Sequence, residues 1–297
     1  MPRLTDASLS LRIVGQAVAV ACDDPMAARA LRENYEALSG NASEGADLRY
    51  HVSAEASRSG FLLRSRDGRA LHAADLGELV FQLEKAIIVA LQERRADLLF
   101  LHAAALERDR AAWLVVGASG AGKSTTAWGL LHHGFNYLSD ELAPIDLDTL
   151  EVLPYPHALC LKRRPPPPYL IPAESLDLGR TIHVPARSLP SVSQLDPCAL
   201  QAVFFVSQDT RRREPMLRRV STAEAAARLY VSTLNALAHE ARGLDAVVKV
   251  ASHVPCFVLQ ASDLESTCKL MAATDIRASD VADRVCGISR IARIPIG

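Results

Sequence analysis

Residues 117–124 read GASGAGKS, which puts Gly117, Gly122, Lys123 and Ser124 at the spacing G-x-x-x-x-G-K-[ST]. Each residue type meets a need of an anion site. Gly117, Gly120 and Gly122, with Ala118, Ser119 and Ala121 between them, let the backbone turn tightly and aim successive N–H groups inward as a nest for phosphate oxygens. A helix starting at the loop, with Ser124 and Thr125 in its first turn, adds the partial positive charge of its N-terminus. Lys123 supplies a mobile cation for β- and γ-phosphates, and the Ser124 hydroxyl is placed to ligate Mg²⁺. The apolar run Trp113-Leu114-Val115-Val116 feeds the loop as a strand, and 124–131 reads as a helix. That strand–loop–helix order argues against a glycine-rich turn with an incidental lysine. The expected ligands are ATP and Mg²⁺.

Asp140 and Glu141 follow the strand-like run Phe135–Leu138. If that strand lies beside the one feeding the loop, carboxylates at its end face the triphosphate. There they suit Mg²⁺ binding or acceptance of a proton from a hydroxyl. A turn aspartate in Ser-Asp-Glu is the alternative. His102 sits on an apolar stretch, Leu98–Leu106, which pairs with the loop strand as a hairpin. It reads either as a satisfied core histidine or as a side chain carried to the nucleotide end of the sheet. Lys162, Arg163 and Arg164 precede four prolines, and either clamp a phosphate or acidic substrate or form a solvated basic turn. The cluster Arg211, Arg212 and Arg213 reads as solvent-facing. Trp128 reads as packing, and His132 and His133 suit the C-terminal dipole of their helix.

The stretch LHAAALERDRAAWLVVGASGAGKSTTAWGLLHHGFNYLSDE resembles the catalytic domain of bacterial HPr kinase/phosphorylase, with good coverage over Leu98–Asp146. The resemblance implies a P-loop nucleotide-binding core related to ATP-dependent phosphoenolpyruvate carboxykinase, with a mixed sheet flanked by helices. It implies Asp140 as the base activating a hydroxyl, Glu141 as the second acid holding the metal, and His102 beside the reacting phosphate. The C-terminal signature used for phosphorolysis has no counterpart, and residues 1–74 differ from that family's usual N-terminal domain. The resemblance therefore implies a stand-alone kinase acting on a hydroxyl, serine first, of a protein or peptide. Relatives of this kind include kinases of peptide natural products such as lasso peptides. The family also tends to assemble, which implies a homo-oligomer.

The elements that must position these residues divide at about residue 74. Residues 1–74 read as a small α/β domain: a hairpin from Leu9–Val14 and Ala17–Cys22, a helix from Asp24-Pro25 to about Leu38, and strands at 48–52, 61–65 and 70–73. Residues 75–297 form the P-loop domain. It opens with a helix over 76–93, with Leu76, Leu79, Val80, Leu83, Ile87 and Leu91 on one face and Glu84 placed elsewhere. After the loop come strands at 158–161 and 200–207, a helix capped by Ser221 and Glu224 running to about Leu237, a strand at 256–260 and a helix over 264–272.

Bulk properties narrow the function class. With 33 basic and 34 acidic residues the net charge is -1, which lacks the footprint of a nucleic-acid or anionic-membrane binder. No apolar run approaches the ~20 residues of a membrane span, and the start lacks a secretory layout. The six cysteines are scattered without CxxC pairs and read as reduced thiols of a cytoplasmic protein. A sensor or scaffold that binds ATP without transfer, and a small-molecule kinase, are the competing readings. The acidic pair and His102 favour transfer.

Overall fold

The computed structural model describes residues 8–40, 45–55, 59–193, 195–208 and 212–276. The chain begins with a hairpin, β1 (Leu9–Ile13) and β2 (Gln16–Cys22), then helix α1 (Pro25–Tyr35). The Asp24 side chain caps α1 by accepting the Ala27 N–H, and Pro25 at the first position needs no partner for a missing donor. Strands β3 (Leu48–Ala54), β4 (Phe61–Ser65) and β5 (Ala70–Ala73) complete a five-stranded sheet in the order β1-β2-β3-β4-β5. Helix α2 (Leu76–Arg94) lays its apolar stripe on this sheet. The same core includes Leu98, Phe100, Leu142 and Tyr155, so the first unit and the unit that carries residues 117–124 share one core.

The second sheet carries the loop. Its strands are β6 (Leu98–Leu101), β7 (Ala103–Arg108), β8 (Ala111–Val116), β9 (Asn136–Ser139), β10 (Ala143–Asp146) and β11 (Glu151–Val152) from the first part of the unit. Helix α3 (Lys123–Leu131) lies between β8 and β9. A three-stranded sheet follows, made of β12 (Leu159–Leu161), β13 (Leu176–Asp177) and β14 (Ile182–Val184). The chain then returns to the large sheet through β15 (Cys198–Gln208), β16 (Met216–Arg219), helices α4 (Thr222–Val231) and α5 (Leu244–His253), strand β17 (Cys256–Ala261) and helix α6 (Leu264–Ala272). The order is β6-β10-β11-β15-β8-β7-β9, with β17 on β15 and β16 on β17. β15 runs parallel to β8 and β17, and the other pairs are antiparallel, so the sheet is mixed.

The central strands are buried on both faces, which is why they read as continuous apolar runs rather than alternating ones. Leu114 and Val116 point to the core under α4 and α5, while Trp113 and Val115 point to the core under α3 and α6. Gly129 lets α3 approach α6, since a Cβ there would lie 2.5 Å from Cys268 Sγ.

Several elements differ from the sequence expectation, each for a local reason. The run 98–106 is not one strand. It breaks at His102, whose N–H goes to Ser232 O (2.8 Å), and its two halves pair with different neighbours, β6 with β10 and β7 with β8 and β9. β9 pairs with β7 and not with β8, so it lies two strands from the loop strand. α4 stops at Val231 rather than near Leu237, because residues 232–235 leave the helix to line the edge of β6. There Leu234 N donates to Phe100 O (2.8 Å). The Asn235 side chain continues the ladder, accepting from Phe100 N (2.9 Å) and donating to Leu98 O (2.8 Å). α5 carries its apolar signal at Ala246, Val247, Val250 and Ala251, the helical spacing of its buried face.

Asn235 is buried, so Asn235→Ala strips two bonds and leaves a backbone donor and an acceptor unpaired. A loss of about 3 kcal/mol is expected, read from the urea denaturation midpoint. A loss below about 0.5 kcal/mol would show that the β6 edge is held by other bonds.

Candidate functional site

The loop enters from β8 and ends at the first turn of α3. Gly122 holds φ +98, and a Cβ there would lie 2.8 Å from Gln208 Nε2, so this position admits only glycine without displacement. Gly117 is equally confined, 2.7 Å from Val206 O for an added Cβ. α3 has no side-chain cap, so the N–H groups of its first turn are left to an external acceptor. A cradle of this shape fits a run of phosphate oxygens.

Beside the loop is a cavity of about 420 Å³. Of the residues singled out from the sequence, His102, Ser119, Gly120, Gly122, Lys123, Ser124, Thr125, Glu141, Lys162, Arg163 and Arg164 line it, joined by Cys160, Thr181 and Gln208. Gly117, Ala118, Ala121 and Asp140 are not among the lining residues. Arg212 and Arg213 are not either, and Arg211 lies outside the described residues.

Lys123 is buried, and its amine donates to Gly117 O (2.9 Å) and approaches His102 Nε2 at 3.0 Å. Burial lowers its pKa from the usual lysine range, with the Glu141 charge working the other way. An ammonium only donates, so His102 Nε2 accepts and the ring proton sits on Nδ1. That Nδ1 lies 3.2 Å from Glu141 Oε2 and 3.2 Å from Glu141 O. Lys123, His102 and Glu141 thus form one hydrogen-bonded chain beside the loop. Burial works to raise Glu141, but the His102 hydrogen bond and the neighbouring positive groups outweigh it and hold the carboxyl below its usual range. Lys162 reaches from the end of β12 to the loop, its amine donating to Ser119 Oγ (2.8 Å), while Arg163 and Arg164 line the same cavity.

Asp140 lies elsewhere. It is fully buried, with Oδ1 accepting from Tyr137 Oη (2.7 Å) and Oδ2 accepting from Cys160 N (2.9 Å). Its carboxylate therefore ties the end of β9 to β12, the strand leading to Lys162. Burial raises its pKa, with His157 opposing. His157 is also fully buried, and its Nε2 lies 3.4 Å from Asp140 Oδ1 and 3.4 Å from Glu84 Oε1 on α2. Sequence reasoning assigned no role to His157 or Glu84. The sequence expectation that Glu84 lies off the apolar face of α2 is corrected: Glu84 is buried, because it stands four residues after Val80 and three before Ile87 and so falls within the stripe. His157, in an irregular stretch without periodicity, offered no signal.

The residues fit a divalent cation shared with a substrate phosphate. Among the described residues no group of three or more His, Cys, Asp or Glu gathers into a protein-only metal cage. Ser124 and Glu141 supply one hydroxyl and one carboxylate at the cavity. Mg²⁺ typically takes one or two such protein oxygens and completes its shell with phosphates and water.

Neither a family model nor a curated protein matches the chain. No helix among the described residues is long and apolar enough to cross a membrane. The site and the mixed α/β architecture thus stand on this chain's own geometry.

Burial lifts Glu84 to about 7 in the folded chain from an ordinary 4.5. A raised acid favours the folded state when protonated, so this stability is complete below pH ~4.5 and is lost as pH rises through ~7. The loss amounts to about 3 kcal/mol at ~1.4 kcal/mol per unit. Glu84→Gln should flatten the fall in stability between pH 4.5 and 7.5, measured by chemical denaturation. Parallel curves for the two proteins would contradict the assignment.

Proposed function

We propose that the chain is an ATP- and Mg²⁺-dependent kinase that transfers the γ-phosphate to a hydroxyl, serine first, of a protein or peptide. The nucleotide core would be of the HPr kinase type. The single observation that carries this reading is the Lys123–His102–Glu141 chain beside a glycine-confined phosphate nest. A module that only binds ATP needs Lys123 and the nest. It has no use for an imidazole–carboxylate pair bonded to that lysine.

The roles follow from the atoms. The nest and Lys123 hold the triphosphate, and Lys162 closes over it from Ser119. Ser124 and Glu141 would hold Mg²⁺, which when bound neutralises charge on the β- and γ-phosphates. A γ-phosphate competes for the Lys123 donors and releases His102 Nε2 to accept the proton of the attacking hydroxyl. Glu141, on the Nδ1 side, orients the ring and balances the imidazolium charge. Asp140, expected from the resemblance to be the base, has both oxygens engaged away from the cavity and takes a supporting role in this reading.

The test is incubation with [γ-³²P]ATP, Mg²⁺ and a cell extract of the source organism, comparing wild type, His102→Ala and Asp140→Asn. A labelled protein or peptide is expected with wild type. His102→Ala should lower transfer roughly 100-fold or more while ATP affinity, read by calorimetry, changes less than about threefold. Loss of label with Asp140→Asn at unchanged stability, alongside an active His102→Ala, would move the base to Asp140. ATP binding without any label would leave a nucleotide-binding module.

A further inference from the structure

A buried histidine behind the cavity decides what one of its lining hydroxyls can do. Cys160 and Thr181 line the cavity beside the loop, and His183 is buried in contact with both. Cys160 lies opposite His183 in the β12–β14 pair, and Leu161 lies opposite Ile182. Thr181, just before β14, therefore stands at the end of the pair that leads to Lys162. Burial and the nearby His157 push the His183 pKa down to about 4, so near neutral pH the ring is uncharged and has a single N–H.

The neighbours of the ring show which nitrogen holds that proton. Asn34 Oδ1, from the last turn of α1, lies 2.7 Å from His183 Nδ1. Cys160 Sγ lies 3.4 Å from the same nitrogen, and its own proton goes to Ala158 O (3.3 Å), so the sulfur turns a lone pair to the ring. Two acceptors thus meet Nδ1, and the proton sits there. Nε2 is left to accept, and the Thr181 hydroxyl donates to it (2.8 Å). A threonine hydroxyl has one proton and two lone pairs, so with its proton committed Thr181 offers the cavity only lone pairs.

Phosphate oxygens accept as well, so they do not suit Thr181. Lys123, Lys162, Arg163 and Arg164 in the same lining only donate, and they do suit phosphate. We infer that Thr181 is a specificity-determining residue whose hydroxyl oxygen accepts a hydrogen bond from an O–H or N–H of the bound molecule outside its phosphates. His183 and Asn34 are the positioning residues that fix its polarity. The inference rests on the kinase reading. Two sources carry such donors: the nucleoside part of the nucleotide and the hydroxyl-bearing acceptor. Because Asn34 belongs to α1, the first unit takes a direct part in recognition at the second.

The test has two arms, each run with wild type, Thr181→Val and Thr181→Ser. Calorimetry with Mg·ATP and with 2′-deoxy-ATP, 3′-deoxy-ATP and purine riboside triphosphate, which each lack one donor, reads the nucleoside. Labelling of a serine-peptide library with [γ-³²P]ATP reads the acceptor. If the nucleoside donates, wild type binds one analogue about fivefold more weakly than ATP, and Thr181→Val is equally weak toward both. If the acceptor donates, nucleotide affinities are unchanged and Thr181→Val lowers kcat/KM for the library about fivefold. Thr181→Ser should behave as wild type in either case. ¹⁵N NMR of wild type should find His183 neutral with its proton on Nδ1, a readout that stands even where Thr181→Val is unstable. A proton on Nε2 overturns the inference, since Thr181 would then accept from the ring. So do nucleotide binding and labelling that Thr181→Val leaves unchanged. Wild type that binds no Mg·ATP sinks the kinase reading itself, and this inference falls with it.

Discussion

A carboxylate cut off from water must be met by donors, and the site is organised around one such group. Asp140 lies where β9 ends, and its oxygens are satisfied by the Tyr137 hydroxyl and the Cys160 amide. An unpaired buried charge costs several kcal/mol, so these partners are obligatory rather than decorative. Their placement fixes the path of β12, which delivers Lys162 to the loop, and the turn that presents Glu141 to the cavity. His157 lies between Asp140 and Glu84 at 3.4 Å from each, without a hydrogen bond to either, and Glu84 stands on α2, the wall shared with the first sheet. The described residues of 8–73 thereby help hold the end of the second sheet that carries the loop.

The division of labour between Asp140 and Glu141 follows from burial. At the bend after β9, Asp140 enters the interior and its neighbour Glu141 meets the cavity. The interior acid has a raised pKa from burial, while the cavity acid is held low by His102 and nearby cations. Groups with opposed shifts at one site commonly have separate duties. Lys123 completes the pattern, since its amine bonds the loop's own carbonyl and His102 and has a lowered pKa from burial.

The strand–loop–helix arrangement around 117–124 was legible because its signal is written in consecutive residues. Gly117, Gly122, Lys123 and Ser124 need only a strand before and a helix after, and β8 and α3 occupy those places. The N-terminal hairpin, α1 and α2 were legible for a similar reason, as turn, cap and apolar stripe are local signals. What resisted reading depends on contacts distant in sequence. The break at His102 arises from a bond to Ser232, 130 positions later, and the early end of α4 from the pull of the β6 edge on Asn235. The position of β9 is topological, and no spacing within Phe135–Glu141 states that β7 intervenes before the loop strand. Which of the two acids is enclosed was not legible for the same reason, because it depends on β12 and Tyr137.

³¹P NMR of Mg·ATP in the presence of the protein tests most directly whether residues 117–124 receive a triphosphate. Broadening and displacement of the β- and γ-phosphate resonances are expected on titration with wild type, saturating at one equivalent. Resonances that keep their free positions and widths at an equivalent of folded protein would contradict it.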